Sequence, residues 1–480
     1  MFRLFNVRCE AFLSKLATWF LILFLITPAA NAQIDQVDKL LPPILGLLLD
    51  DSASGIGTEI EGSQTISTQV ELDALAGVTK IDGSLIFNTV TETNLDFSPL
   101  DSLVEVTGSV NFLRTILSSV DGFDSLEVVG GSLLIFQNFE LNSISGFSQL
   151  SSIGGSFNIN LNDRLASIPE FTNLTFVGAN LNIINHFDLR EIPQFGSLRT
   201  IGMDLLIDNN DSLLSFTGFA SLESIGRNLS VNGNGSITSM PFFSNLEFLG
   251  GDLSITSNLF LRSVRGFNSL ISMDESLFIE NNLRLENISA FANLGSVGGQ
   301  IEMQLNASLS VISAFESLRS VEGDLLLEAN GALESFPLFD NLVSVQGDLE
   351  LGSNNSLRSI SGFNRLELIG GDLNIFSCSS LISISGFAEL TVIEGRLSIS
   401  RNASLVTLSA FNRLSSLEGN LDISSNNDLV SILGFDTLSR SNIVGRVFID
   451  RNPSFNCASP IPTFVPVSRS SNNLVNCELE

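Results

Sequence analysis

Few residue types in this sequence could carry out catalysis. His186 is the only histidine, Tyr is absent, and Trp occurs once among the 480 residues. General acid–base catalysis most often uses His, with Lys and Tyr as further options, so a lone histidine is a weak catalytic candidate. The sequence therefore predicts a protein that is not an enzyme.

Its 52 acidic and 23 basic residues give a net charge of −29, which disfavours nucleic acid as a partner.

His186 and Cys378 instead belong to a regular column of asparagines. Asn recurs every 24 residues over most of the chain, and His186 and Cys378 occupy two of these positions. A buried Asn can hydrogen-bond a tight turn and the equivalent Asn of the next repeat, which satisfies polar groups that would otherwise lack partners. We therefore predict a structural ladder formed by Asn138, Asn162, His186, Asn210, Asn234, Asn258, Asn282, Asn306, Asn330, Asn354, Cys378, Asn402, Asn426 and Asn452.

Acidic residues form the one column that could bind a cation. Asp324, Asp348 and Asp372 occupy equivalent positions of three successive repeats, with Glu328 and Glu350 beside them. Parallel strands would stack these carboxylates about 5 Å apart, a spacing that invites a counter-ion such as Ca²⁺. The simpler interpretation is a solvated acidic face that keeps the protein soluble. We predict no cofactor and retain Ca²⁺ as the alternative for this column.

The elements that position these residues follow one 24-residue repeat. A glycine, or a residue in its place, recurs every 24 residues from Gly131 to Gly419, and an L-x-I stretch follows it. Phe recurs fourteen times at the same interval from Phe123 to Phe435. The apolar residues alternate with period two, and Gly, Asn and Ser separate the segments, so the repeat predicts short strands and turns. We expect an all-β parallel solenoid of about 16 coils.

The first residues have the pattern of an export signal. Positive residues precede an apolar run over residues 16–26, and Ala30-Asn31-Ala32 supplies small residues at a cleavage site. The run is too short to span a bilayer, which needs roughly 20 apolar residues, and no other stretch is long enough. We predict a secreted or cell-surface protein, periplasmic or extracellular if the host is bacterial.

Two cysteines flank the last stretch of the chain. An exported protein permits a disulfide, so Cys457 and Cys477 are predicted to pair in a segment that covers the end of the solenoid. The predicted organisation is a signal peptide over 1–32, an N-terminal cap over 33–61, the repeat solenoid over 62–455 and a C-terminal cap over 456–480.

The repeat resembles the receptor L domain, a relative of leucine-rich repeats found in insulin-type receptors and fungal cell-wall proteins. The resemblance is carried by Ile369-Gly-Gly-Asp-Leu373-Asn-Ile375 and by Leu381-Ile-Ser-Ile384-Ser-Gly-Phe387, and extends over about residues 70–455. It implies a right-handed parallel β-helix that binds partners and does no chemistry. We predict binding of a protein or glycan at the cell exterior, in adhesion or recognition. The alternatives are a structural envelope component and, less favoured, a β-helix enzyme acting on polysaccharides.

Overall fold

The computed structural model describes residues 58–336 and 339–455. The chain divides into two units, residues 1–56 and 57–480, and every described residue lies in the second unit. The predicted signal peptide, the C-terminal cap with its cysteine pair, and most of the N-terminal cap lie outside the described residues.

A long parallel sheet runs through the whole described region. Each of its strands pairs with the equivalent strand one repeat further on, so Leu253 faces Leu277 and Ile255 faces Ile279. Its seventeen strands are β2 (Gln64–Ile66), β4 (Leu85–Asn88), β6 (Val110–Leu113), β9 (Leu133–Phe136), β12 (Phe157–Asn160), β14 (Leu181–His186), β17 (Leu205–Asn210), β20 (Leu229–Asn232), β22 (Leu253–Thr256), β25 (Leu277–Glu280), β28 (Ile301–Gln304), β31 (Leu325–Glu328), β33 (Leu349–Gly352), β36 (Leu373–Phe376), β39 (Leu397–Ser400), β42 (Leu421–Ser424) and β44 (Val447–Asp450).

A second parallel sheet accompanies the long sheet from coil to coil. Most of its strands contain only two residues, because the chain turns sharply at the recurring glycine position that follows each strand. Its sixteen strands are β1 (Thr58–Glu61), β3 (Val78–Asp82), β5 (Glu105–Val106), β8 (Val128–Val129), β11 (Ser152–Ile153), β13 (Phe176–Val177), β16 (Thr200–Ile201), β19 (Ser224–Ile225), β21 (Phe248–Leu249), β24 (Ser272–Met273), β27 (Ser296–Val297), β30 (Ser320–Val321), β32 (Ser344–Val345), β35 (Leu368–Ile369), β38 (Val392–Ile393) and β41 (Ser416–Leu417).

In the described residues, the third face of the solenoid carries four separate small sheets. Where the face is paired, a backbone N–H bonds the preceding coil, as from Ser385 to the Ile360 carbonyl at 2.9 Å. Pro169, Pro193 and Pro241 occupy the position equivalent to Ser385 and have no N–H to donate, and pairing with the preceding coil is lost or reduced to a single bridge there. The sheets are β7 (Ser119–Val120) with β10 (Ser143–Ile144); β15 (Glu191–Ile192) with β18 (Ser215–Phe216); β23 (Ser263–Arg265), β26 (Asn287–Ser289) and β29 (Val311–Ile312); and β34 (Ser359–Ile360), β37 (Ser383–Ile384), β40 (Thr407–Leu408) and β43 (Ser431–Ile432).

Helical structure in the described region is confined to three short segments. Helix α1 (Gln69–Asp73) lies in the first coil, and Thr68 and Glu71 form a capping box at its N-terminus. Two single turns of 3₁₀-helix span Ser98–Leu100 and Arg440–Asn442. The prediction of an all-β parallel solenoid of about 16 coils is therefore confirmed.

One continuous core fills the interior of the coils. The inward Leu and Ile of each long-sheet strand are buried, as in Leu253 and Ile255, which are inaccessible to solvent. The recurring Phe residues stack on one another: between Phe171 and Phe435, successive ring centroids lie 5.0–5.7 Å apart with planes within 23°. Each stacked pair adds about 0.5–1.5 kcal/mol to the stabilisation from burial. The stack explains why Phe recurs without exception.

Candidate binding face

The outward side of the long sheet is the broadest regular surface of the described solenoid. Side chains alternate along each strand, so two residues per strand point away from the core and form two columns that cross every coil. These outward side chains are mostly partly buried, because neighbours one coil apart pack against each other. The result is a continuous ribbon of surface.

The outward side changes character along the chain. The outward residues of eight successive strands, β4 to β22, include one ionisable side chain, and we call these outward residues the neutral ribbon. The next strands carry Glu280, Glu302, Glu328 and Glu350, which we call the acidic segment. The neutral ribbon consists of Ile86, Asn88, Asn111, Leu113, Leu134, Phe136, Asn158, Asn160, Asn182, Ile184, Leu206, Asp208, Ser230, Asn232, Ser254 and Thr256.

The predicted aspartate column lies beside the acidic segment, at the corner just before the strands. Asp324, Asp348 and Asp372 are partly buried, and each uses one carboxylate oxygen to bond the next coil. The Asp348 N–H donates to Asp324 Oδ1 at 2.7 Å, and the Asp372 N–H donates to Asp348 Oδ1 at 2.6 Å. These carboxylates are therefore part of the coil-to-coil bonding, a role that the sequence interpretation of a solvated face did not include.

Arg396 closes this column at its last coil. Its N–H donates to Asp372 Oδ1 at 2.6 Å, and its guanidinium lies 3.4 Å from Asp372 Oδ2 and donates to Asn374 Oδ1. Glu350 accepts a hydrogen bond from the Asn374 amide at 2.9 Å.

Partial burial raises the pKa of Asp348, and the neighbouring carboxylates add to the shift. Within residues 58–336 and 339–455, no group of three or more His, Cys, Asp or Glu side chains is arranged to hold a metal ion.

The aspartates continue a longer series, which we call the corner ladder. In most coils a short polar side chain at this position accepts the backbone N–H of its equivalent in the next coil, as Ser109 does for Ser132 at 2.9 Å and Asn228 for Asp252 at 2.9 Å. Sequence reasoning missed this ladder. Its signal was the recurrence of Ser, Asn and Asp directly before the long-sheet strands.

The asparagine column is buried and bonded across the coils. Asn210 is typical: its N–H donates to Asn234 Oδ1 at 3.1 Å, and its Nδ2 donates to the Ile183 carbonyl at 2.9 Å. Each ladder Asn side chain thus accepts a hydrogen bond from one backbone N–H and donates one to a backbone carbonyl. The turn would otherwise leave these two backbone groups without partners. All members of the predicted column are inaccessible to solvent.

His186 and Cys378 occupy ladder positions with different chemistry. The His186 ring nitrogens lie 3.2 Å from the Asn162 carbonyl and 3.1 Å from the Ile159 carbonyl. Burial lowers the pKa of His186 in spite of these two acceptors. Cys378 is a buried free thiol whose pKa burial raises to about 11, so it is protonated and unreactive at neutral pH. Neither residue has the surroundings of a catalytic group.

Asp208 is the one carboxyl group of the neutral ribbon, and it is almost covered. It is 8% exposed, Ser230 Oγ donates to both of its oxygens, and the Asn232 N–H donates to Oδ1 at 2.8 Å. Burial raises the pKa of Asp208 to about 6. The neutral ribbon therefore presents amides, hydroxyls and apolar side chains, with no exposed charge.

Comparison with known proteins finds a family match over part of the chain. Residues 343–461 match the family model of the receptor L domain. The chain is similar to a leucine-rich repeat protein from Bacteroides ovatus, with 15% identity, a TM-score of 0.34 and coverage of 70% of this chain and 84% of that chain. It is also similar to TLR13 in its complex with ssRNA13, with 14% identity, a TM-score of 0.17 and coverage of 81% and 73%. No curated protein matches the sequence.

The described residues form a parallel β-solenoid with a 24-residue repeat, and part of this solenoid matches the receptor L domain. The predicted resemblance is confirmed, and residues 343–461 carry the family match. Receptor L domains and leucine-rich repeats are typically binding scaffolds, and receptor L domains are typically extracellular. Among the described residues, no helix is long and apolar enough to cross a membrane.

Proposed function

We propose that this chain is an exported, non-enzymatic binding protein whose solenoid presents the outward side of the long sheet to a protein or glycan at the cell exterior. The observation that supports the proposal most directly is the regular pair of outward columns across seventeen strands. A surface of that length offers one partner many equivalent contacts, so weak individual interactions can add up along an extended ligand.

The chemistry of the described residues supports binding over catalysis. The single histidine is buried in a structural ladder, the thiol of Cys378 is buried, and the aspartate column is engaged in backbone hydrogen bonds. The predicted signal peptide and the predicted Cys457–Cys477 disulfide belong to the same proposal, because both fit an exported protein.

A whole-cell binding assay tests the proposal. The chain is expressed with its own first 32 residues, recovered after export, and its new N-terminus is identified by mass spectrometry. We expect cleavage after Ala32 and saturable binding of the recovered protein to cell surfaces. A protein that stays inside the cell would contradict the export part. Recovery of self-assembled rods that bind no cells would favour the structural envelope component instead.

A further inference from the structure

We infer that the neutral ribbon binds a neutral polysaccharide chain lying along the outward side of strands β4 to β22. This inference rests on the proposed binding function and assigns the ligand class and the site within it.

Charge is distributed unevenly along the outward side of the long sheet. The chain has 52 acidic residues, and the acidic segment shows that the outward columns accept Glu. The neutral ribbon nevertheless contains no exposed charged side chain over eight adjacent strands, a length of about 35 Å at the usual strand spacing. A surface that only had to remain soluble would carry the charges that the rest of this protein carries. The neutral ribbon therefore fits a partner that has no charge.

Three amide oxygens of the neutral ribbon have no hydrogen-bond partner in the fold. Four buried side-chain oxygens in the described residues have no hydrogen-bond partner: the Oδ1 atoms of Asn111, Asn158 and Asn182 in the neutral ribbon, and Oδ1 of Asp422 on β42 outside it. A buried acceptor without a partner costs about 1–3 kcal/mol. The asparagines of the buried ladder bond their neighbouring coils, whereas these outward amide oxygens do not, so coil-to-coil bonding does not account for them.

The neutral ribbon also fits the chemistry of sugars. Asn158 and Asn182 are paired in register on adjacent strands, and Asn160 and Phe136 are paired in register beside them. Carboxamide groups offer both donors and acceptors to sugar hydroxyls, and an aromatic ring can pack against the apolar face of a pyranose. The neutral ribbon lacks Arg, a residue enriched at protein–protein hot spots, although Arg occurs elsewhere in the described chain. A glycan is therefore favoured over a protein partner.

Repetition must supply the affinity. Phe136 is the only aromatic ring of the neutral ribbon, so a single sugar unit would bind weakly. A polymer that contacts many coils gains from effective concentration. We therefore expect long chains to bind and short oligosaccharides of the same sugar to compete poorly.

The test is affinity electrophoresis of the exported chain in gels containing single polysaccharides. The probes are the neutral polymers cellulose ether, β-1,3-glucan, mannan, galactomannan and dextran, with anionic polygalacturonate and cationic chitosan for comparison. We expect retardation by at least one neutral polymer that is unchanged between about 0.05 and about 0.5 M NaCl, because no charges are involved.

Two double variants locate the site. Asn158→Ala/Asn182→Ala removes amides whose oxygens have no partner in the fold, so the variant is expected to fold and to bind the neutral polymer at least tenfold more weakly. Gln300→Ala/Gln304→Ala removes two amides beside Glu302 in the acidic segment and is expected to bind like the unchanged protein. Circular dichroism confirms that both variants are folded.

Three results would overturn the inference. The first is that no neutral polymer retards the protein. The second is that the Asn158→Ala/Asn182→Ala variant is retarded as much as the unchanged protein. The third is that chitosan alone retards the protein and that this retardation is lost at high salt, which would move the site to the acidic segment. The whole-cell assay separates this inference from the proposed function. Binding that survives periodate oxidation of surface glycans but is abolished by protease treatment would support the proposed binding function and show that the partner is a protein and not a glycan.

Discussion

At the scale of single residues, Asp208 shows how a buried carboxyl group links stability to pH. Its pKa in the folded protein is about 6, whereas an unfolded Asp titrates near pH 3.9. The folded state therefore binds this proton more tightly than the unfolded state does. Its contribution to stability is fully present below about pH 4 and is lost as the pH rises to about 6. The ionised group costs roughly 3 kcal/mol at neutral pH.

Asp208→Asn is expected to remove that cost. The amide keeps an oxygen that can accept the Asn232 N–H, and we expect the free energy of unfolding at pH 7.5 to rise by about 1–3 kcal/mol. Urea unfolding between pH 4 and pH 8 measures the effect. The exposed Asp211, changed to Asn, is the matched control, and both proteins retain His186, whose titration cancels in the comparison. Equal pH profiles for the Asp208→Asn variant and the unchanged protein would contradict the prediction.

The two ladders differ in how far sequence could reveal them. The asparagine column is visible because only a side chain with both a donor and an acceptor serves the buried turn, so the residue type is nearly fixed. The corner ladder needs only an acceptor for one N–H, and Ser109, Asn228 and Asp324 all provide it. Such a mixed column does not stand out. The aspartates were consequently interpreted as solvated charges.

At the scale of elements, the backbone of the turn before each ladder Asn was not predictable from residue types. The residue before the Asn has a positive φ in most coils, for example 56° at Leu161, 59° at Leu305 and 58° at Arg401. Only Gly233 shows the residue that usually marks this conformation. The buried hydrogen bonds of the following Asn hold the turn in place, so the chain does not need glycine there.

Prolines divide the third face, and their spacing was a signal in the sequence. Pro169 and Pro193 lie 24 residues apart, and Pro241 lies 48 residues further on, all at one position of the repeat. Where this position is proline, pairing of the third face with the preceding coil is lost or reduced to a single bridge. The long sheet and the second sheet remain continuous past these prolines, so the coil does not depend on pairing at the third face.

Ser385→Pro tests that independence. The variant loses the bond to the Ile360 carbonyl, worth about 1 kcal/mol, and recovers part of it because proline restricts the unfolded chain. We expect the free energy of unfolding to change by no more than about 1 kcal/mol, measured by urea denaturation. Ser398→Pro, in the middle of the long sheet, is the control and is expected to cost roughly 3 kcal/mol or more. Equal losses in the two variants would show that the third face is as important as the long sheet.

At the scale of the whole molecule, stability is shared among equivalent coils. Surface ion pairs bridge adjacent coils in Arg164–Glu140, Arg199–Glu223, Arg262–Glu286 and Arg413–Glu389. Exposed pairs of this kind contribute only about 0–1 kcal/mol each. The continuous core of Leu, Ile and stacked Phe must therefore supply most of the stabilisation, and each coil contacts only its neighbours.

This arrangement predicts that a whole coil can be removed without loss of the fold. Deleting residues 276–299 takes out one 24-residue repeat and brings Gln300 to the place of Ser276, so every ladder and the Phe stack continue in register. We expect the shortened protein to keep its β-type circular dichroism and its protease resistance, and to bind its partner unchanged, because the neutral ribbon ends at Thr256. Deleting residues 276–298 removes one residue fewer and is the control. A slip of one residue turns the inward Leu and Ile of the following strand to the outside, so this second variant is expected to be degraded. If both deletions fold equally well, the coils are not held by register, and the ladders described above do not determine the structure.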